Sequence, residues 1–326
     1  MMPKFDKRYL ARFLSANTSL VALVILLILF SAIVPNFTDS RNLTAIMSQS
    51  MVTGFLALGQ LLVILTGGID LSLGSLVAFT SIVVSVTIRT YGFIPAIIAG
   101  IAMGLLIGLA NGLLVAKTKM PAFIVTLGMM GIARGMALML ANAKPVPIDN
   151  EYYKIIGAGR IAWVPYSSIL LLVCAAVIHY FLTYRRSGRY LYAIGSNENN
   201  SLLSGINVPR IKIMVHMLCS FFCAIGGMIW CSRLVSGSPV GGNNYETESI
   251  AAVIVGGASL SGGEGTVLGT MAGVFIFQCI ASMLNLTGIN PFWQGVFKGM
   301  LILAAVILSV FRNYGGKDKN RRTAEK

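Results

Sequence analysis

Polar side chains able to do chemistry are scarce in the apolar stretches of this 326-residue sequence, so those that occur there stand out. Asp70 lies within Gly67-Gly68-Ile69-Asp70-Leu71-Ser72-Leu73-Gly74, between two long apolar runs. Two roles suit it. One is an N-cap at a membrane surface, where a carboxylate accepts from the first backbone N–H groups of a helix. The other is an acid beside a conduction path, because ionisable groups inside a membrane are costly and mark function. The amides Gln60, Asn111, Gln278, Asn285 and Gln294 also interrupt apolar runs. Amides there commonly bond one helix to another. They also suit a hydroxyl-rich solute such as a sugar, to which Trp230, Phe292 and Trp293 would offer aromatic faces. Arg134 is read as the partner of a carbonyl or carboxylate. No HExxH, GxSxG or clustered carboxylates appear, so no catalytic constellation is legible. His179 and His216 are too few and too far apart in sequence to argue a metal, and the five cysteines lie singly in apolar stretches, as small hydrophobes do.

The Asp70 motif has a second version, Gly256-Gly257-Ala258-Ser259-Leu260-Ser261-Gly262-Gly263, which pairs Gly67 with Gly256, Gly68 with Gly257, Ser72 with Ser261 and Gly74 with Gly263. Chance likeness of glycine-rich segments is one reading, and a duplicated element of the kind transporters carry is the other. Paired glycines followed by serine predict a break in a helix, with Asp70 or Ser259 capping the next one. Such a break is tolerated where protein or a water-filled cavity satisfies the backbone. Leu260-Ser261-Gly262-Gly263-Glu264 also resembles the signature of ABC ATPases, but the chain has no G-x-x-x-x-G-K-[ST] phosphate loop, so the likeness is coincidental.

Only 11% of the residues are charged and 56% are hydrophobic, against about 25% charged in an ordinary soluble domain. Lipid must be the solvent. The fold class expected is all-α, a polytopic membrane helical bundle. With roughly 20 apolar residues per crossing, about ten spans emerge: 19–35, 46–66, 70–90, 93–116, 122–141, 165–184, 211–235, 246–260, 265–287 and 291–311. The first lacks an A-x-A-like exit and is followed by further spans, so it is read as a helix rather than a secretory signal. The eighth is short and interrupted by glycine. The 35 glycines suit close helix approach in lipid.

The net charge of +14 falls in short clusters between apolar runs and at the ends, a pattern that orients a membrane protein and excludes nucleic acid as its partner. Most Lys and Arg share one side if both termini are cytoplasmic. Basic tails are expected at 1–18 and 313–326, around one transmembrane domain at 19–312. The outer loop 142–164 and the stretch Asn243 to Glu248 are surfaces for an external partner.

The largest inner connection, 185–210, carries a further helix signal. Ser196 or Asn197 begins a short helix through Leu203, with Glu198 near its positive end and Gly205 after it. Leu202, Leu203 and Ile206 give it an apolar edge, to be covered by lipid headgroups or by a protein partner.

Read together, these pieces resemble the permease subunits of ribose-type monosaccharide ABC importers, within the family that includes branched-chain amino-acid permeases. The likeness rests on Gly67 to Ser75, Pro121 to Gly128 with Arg134-Gly135, Gly188-Arg189 with Tyr192 to Gly195, and Ser204-Gly205-Ile206. It continues through Ile250 to Val253, Gly256-Gly257, Leu260 to Thr266 and Lys298-Gly299. It implies a bacterial inner-membrane protein that pairs with a second copy or a homologous permease, two cytoplasmic ABC ATPase domains and a periplasmic sugar-binding protein, with no cofactor of its own. It also implies that Glu198, Asn199, Leu202, Leu203, Ser204, Gly205 and Ile206 dock in the ATPase. The Asn197-Glu198-Asn199-Asn200 stretch departs from the alanine-rich helix expected there. Gln60, Asn111, Gln278 and Gln294 remain candidates for the pathway. An ion-coupled secondary transporter is the alternative, and it would be expected to place more acids inside its spans than Asp70.

Overall fold

A computed structural model describes residues 18–162, 164–290, 293–297, 299–300, 302–304 and 307. The described residues are mainly helical, in the order α1 (Thr18–Ile33), α2 (Ser40–Leu65), α3 (Leu73–Tyr91), α4 (Phe93–Thr118), α5 (Ala122–Leu140), α6 (Glu151–Ala158) and α7 (Tyr166–Tyr184). It continues with α8 (Arg186–Ser196), α9 (Glu198–Leu203), α10 (Val208–Leu234), α11 (Tyr245–Val255) and α12 (Val267–Leu286). Short antiparallel pairs join 146–147 to 236–237 and 160–161 to 164–165.

Among the described residues, seven helices are long and apolar enough to cross a membrane: α2, α3, α4, α5, α7, α10 and α12. The expected first span is a 16-residue helix and the eighth only an 11-residue one, ending at Gly256. The described residues of 291–311 are helical. Phe292, Lys298 and the expected tails, apart from Thr18, lie outside the described residues.

Helix α2 is the axis of the bundle. Every residue from Ser50 to Thr66 is buried, so it is apolar on all sides, as a helix enclosed by others must be. By contrast α4, α5 and α7 leave large apolar side chains bare, among them Ile94, Leu106, Leu127, Ile132, Leu172 and Val177. These bands suit lipid rather than water.

Helix α10 packs against α2, α3 and α4. Its contact with α4 depends on Gly100, Gly104, Gly108 and Gly112, a four-residue spacing that keeps small residues on one face. A Cβ on Gly108 would lie 2.6 Å from the His216 carbonyl oxygen, and one on Gly112 2.7 Å from the Ile213 Cα.

Both glycine motifs break the chain, as expected. After α2, Gly67 (φ +78°) donates to the Ile64 carbonyl and Gly68 to that of Val63. After α11, Gly257 (φ +97°) donates to Ile254 and Ala258 to Val253. The equivalent residues are therefore Gly67 and Gly257, one residue out of step with the sequence pairing of Gly67 with Gly256. The residue that must turn left-handed sets the register, whichever letters align best.

The capping expectations also change. Thr266 caps α12 through Gly269 N–H, while Ser259 Oγ accepts from Ser261 N–H. Asp70 is fully buried rather than at a surface. The second break folds onto the end of the first: Gly263 N–H donates to the Leu65 carbonyl at 3.0 Å. Gly262 lies against Gly67, so the signature-like stretch closes a helix end.

The stretch 235–244, which leads into the outer surface expected at Asn243 to Glu248, turns back along α3. Gly237 meets Ser81 and Ser85, and Gly242 meets Gly74 and Val77. Arg134 holds it, donating to the carbonyls of Pro239 and Gly241 at 2.8 Å each and to Asn243 Oδ1 at 3.0 Å. Glu246 consequently lies against Gly74 instead of facing outward. The 142–164 connection is also folded onto the bundle, with Tyr153 buried and donating to the Met228 carbonyl.

The α4–α10 contact is open to a direct test. Gly108→Ala should lower thermal stability in detergent by about 1–3 kcal/mol, because the added methyl meets backbone. Gly128→Ala, with open space around it on α5, should not, and a thermal-shift comparison of the two variants checks this.

Candidate functional site

The polar side chains singled out in the apolar runs separate into two clusters. Gln278, Asn285 and Gln294 join Gln49, Thr53, Trp230, Arg233, Tyr245 and Glu248 around a cavity of about 320 Å³. Its walls come from α2, α10, α11, α12 and the helical turn at 293–297. Its position follows from helix register: the side chains come from the middle of α2, the last turns of α10, the first turn of α11 and the C-terminal half of α12. The volume lies at the lower end of the range for small-molecule sites, about 300–1,000 Å³.

The lining is hydrogen-bonded. Gln278 Nε2 donates to Thr53 Oγ1 at 3.3 Å, joining α12 to α2. Gln294 Nε2 donates to Asn285 Oδ1 at 2.9 Å. Arg233 spends one nitrogen on the Ser48 carbonyl at 2.7 Å. The amides thus bridge helices and also front a cavity. Trp230 and Tyr245 add aromatic area with a polar handle. Trp293 is mostly exposed and does not line the cavity.

Gln49 and Thr53, one helical turn apart, gave a signal at i, i+4 that reading for isolated amides passes over. Glu248 and Tyr245 required knowing that 235–244 turns inward.

Gln60 and Asn111 belong elsewhere, in a buried cluster around Asp70. Asp70 Oδ1 accepts from Ser72 N–H at 2.9 Å and Ser72 Oγ at 2.6 Å. Its Oδ2 faces His216 Nδ1 at 3.4 Å. Asn111 Nδ2 donates to Ser72 Oγ at 3.2 Å. The Gln60 amide, oriented by the two bonds open to it, donates to the Asp70 carbonyl and accepts from its N–H, both at 3.2 Å. Thr126 Oγ1 accepts from Leu71 N–H at 3.0 Å. The backbone of Asp70 and Leu71, within the break, thus draws on side chains from α2 and α5.

The 185–210 connection forms α9 where its local signals predict a short helix, and a second helix, α8, that they did not indicate. Asn197 caps α9, its side chain accepting from Asn200 N–H at 2.9 Å. Gly205 follows with φ +80°. Leu203 is 88% exposed and Leu202 48%, while Ile206 is half-buried. Asn199 and Ser204 are exposed beside them. Glu198 pairs through both oxygens with Lys212 of α10 at 2.8 Å.

Behind α9, Gly195 fits against the Leu65 carbonyl and Gly263 N–H, where a Cβ would collide with both. Tyr192 donates to the Gly265 carbonyl at 3.0 Å, and burial raises its phenol above the usual range, so it stays a donor. Helix α8, which leads into α9, is therefore seated on both glycine breaks.

Residues 42–306 match the family described as branched-chain amino acid transport system / permease component. The chain is 39% identical over 308 residues to the ribose import permease protein RbsC of Escherichia coli K12, covering 93% of this chain and 96% of that one. It is 34% identical over 304 residues to the fructose import permease protein FrcC of Rhizobium meliloti, covering 90% and 84%. A probable ABC transporter permease protein, YphD of Escherichia coli K12, is 34% identical over 308 residues, covering 93% and 92%. No solved structure matches the chain significantly. With the match spanning most of the described bundle and the relatives aligned nearly end to end, the chain belongs to the permease-component family of branched-chain amino acid transport systems.

Proposed function

We propose that this chain is the membrane subunit of an ATP-driven importer that carries a simple sugar across the bacterial inner membrane. The observation that carries the reading is the cavity of amide, carboxylate, guanidinium and aromatic groups between α2, α10, α11 and α12. Sugars take paired donors and acceptors on their hydroxyls and an aromatic face on their C–H groups. The names of the relatives, which import ribose and fructose, point to the same solute class. An ion-coupled transporter accounts for neither those relatives nor the α9 surface.

In this reading the chain crosses about ten times with both termini in the cytoplasm, the short α11 being completed by the glycine-rich stretch after it. A periplasmic binding protein delivers the sugar, a second permease copy or a homologous permease completes the path, and two cytoplasmic ATPase domains supply the energy. ATP hydrolysis sits on those partners. The exposed Leu202 and Leu203 of α9 are the surface an ATPase cleft would cover. The Glu198–Lys212 pair, partly exposed, contributes about 0–1 kcal/mol to stability and serves mainly to orient α9 on α10.

Three outcomes test this. Sugar uptake into vesicles should require ATP and co-purified ATPase subunits and survive an ionophore that collapses ion gradients; uptake by this chain alone, lost with the ionophore, overturns the importer. Gln278→Ala and Asn285→Ala should each slow uptake about tenfold with assembly unchanged, because a cavity that loses one paired amide holds its solute less well. Gly205→Arg, strained at positive φ, and Leu203→Glu should each weaken ATPase association about tenfold in pull-down titrations. Unaltered association would remove α9 as the coupling surface.

A further inference from the structure

We propose that Asp70 and His216 form a buried latch that positions the break between α2 and α3, and that this latch sets how much sugar moves per ATP. The proposal rests on the importer reading and adds residues that touch neither the cavity nor α9. Asp70 has no exposed surface, and among the described residues His216 is the one basic side chain within ion-pairing distance of it. An acid enclosed in a membrane protein is costly and persists for a reason.

Five helices converge on this one carboxylate segment: Gln60 from α2, Ser72 at the start of α3, Asn111 from α4, Thr126 from α5 and His216 from α10. The network is one donor short. Asn111 Oδ1 is buried without a partner, an unfavourable state for an amide oxygen. The His216–Asp70 contact, at 3.4 Å, is longer than a well-made hydrogen bond. A cluster with one long contact and one waiting acceptor has somewhere to move, and packed networks switch between discrete arrangements.

The connection to the ATPase side runs along one face of α10. Lys212 holds Glu198 of α9, and His216 is one turn further along on the same face. Further on, Cys223 Sγ donates to the Leu73 carbonyl at the first residue of α3, and Trp230 and Arg233 reach the cavity. Displacement of α9 that shifts α10 therefore reaches the latch before the cavity.

The test uses the complete complex in liposomes, with ATP hydrolysis and sugar uptake measured together. Asp70→Asn and His216→Leu should each lower the sugar imported per ATP by at least about fivefold. The double variant should be no worse than the poorer single, since both remove the same interaction. His216→Asn, which restores a donor near the position of Nδ1, should recover at least about half of the ratio on the same basis. Uptake and hydrolysis falling in parallel, or losses that multiply in the double variant, would overturn the latch. If His216→Leu fails to assemble, Asp70→Asn, nearly identical in shape to the native side chain, decides by its ratio alone. Failure of the importer reading looks different: the unaltered complex would import without consuming ATP, and a latch defined by that ratio would fall with it.

Discussion

A chain surrounded by lipid must satisfy its backbone N–H and C=O groups from within, and every break in a helix creates groups that need a partner. This structure breaks twice, after Leu65 and after Val255, and the partners it finds determine much of its architecture. The first break is served by Gln60, Thr126 and the Asp70 side chain. The second is served partly by the first, through Gly263 N–H and the Leu65 carbonyl. The breaks are consequently not independent hinges. One cannot open without exposing backbone of the other, and Gly195 places α8 against that shared contact.

The same constraint explains the run of small residues. Hydrophobic burial gives helices little reason to associate in lipid, so contact area and hydrogen bonds must hold them together. Gly104, Gly108 and Gly112 let α4 approach α10 until backbone meets backbone. That close fit keeps Asn111, between two of these glycines, inside the Asp70 cluster.

Legibility in the sequence is a matter of range. Asn197, Leu203 and Gly205 lie within a few residues of each other, and a cap, an apolar edge and a left-handed stop are local signals, so α9 could be read in advance. The seven long spans were legible because apolar length is local too, and the four-residue glycine spacing of α4 stood in the same text. The register of the two breaks was not, because letter identity pairs Gly67 with Gly256 while the left-handed residue is Gly257. Nor was the division of the amides. Gln60 and Gln278 are chemically alike, and only the helix facing each one sends the first to Asp70 and the second to the cavity. The inward course of 235–244 depends on Arg134, about a hundred residues away along the chain, a distance over which no local signal acts.

Glu246 shows what that inward turn does. A carboxylate on an outer loop would be solvated and would ask nothing of its neighbours. Held against Gly74 at the start of α3, it has taken the space a side chain would have filled. Gly74 is therefore required by an acid contributed from a distant stretch, and its place in the repeated motif reflects packing as much as backbone freedom. Asp70 lies four residues before Gly74, so the entry of α3 has one acid bonded at its approach and a second resting on its first turn. Two carboxylates at the positive end of one helix are favourable to its dipole but repel each other. Arg134 offsets the second and His216 faces the first. The start of α3 is thus held by polar side chains from α5, α10 and α11 together, and an element held that way moves only when several of its neighbours move with it.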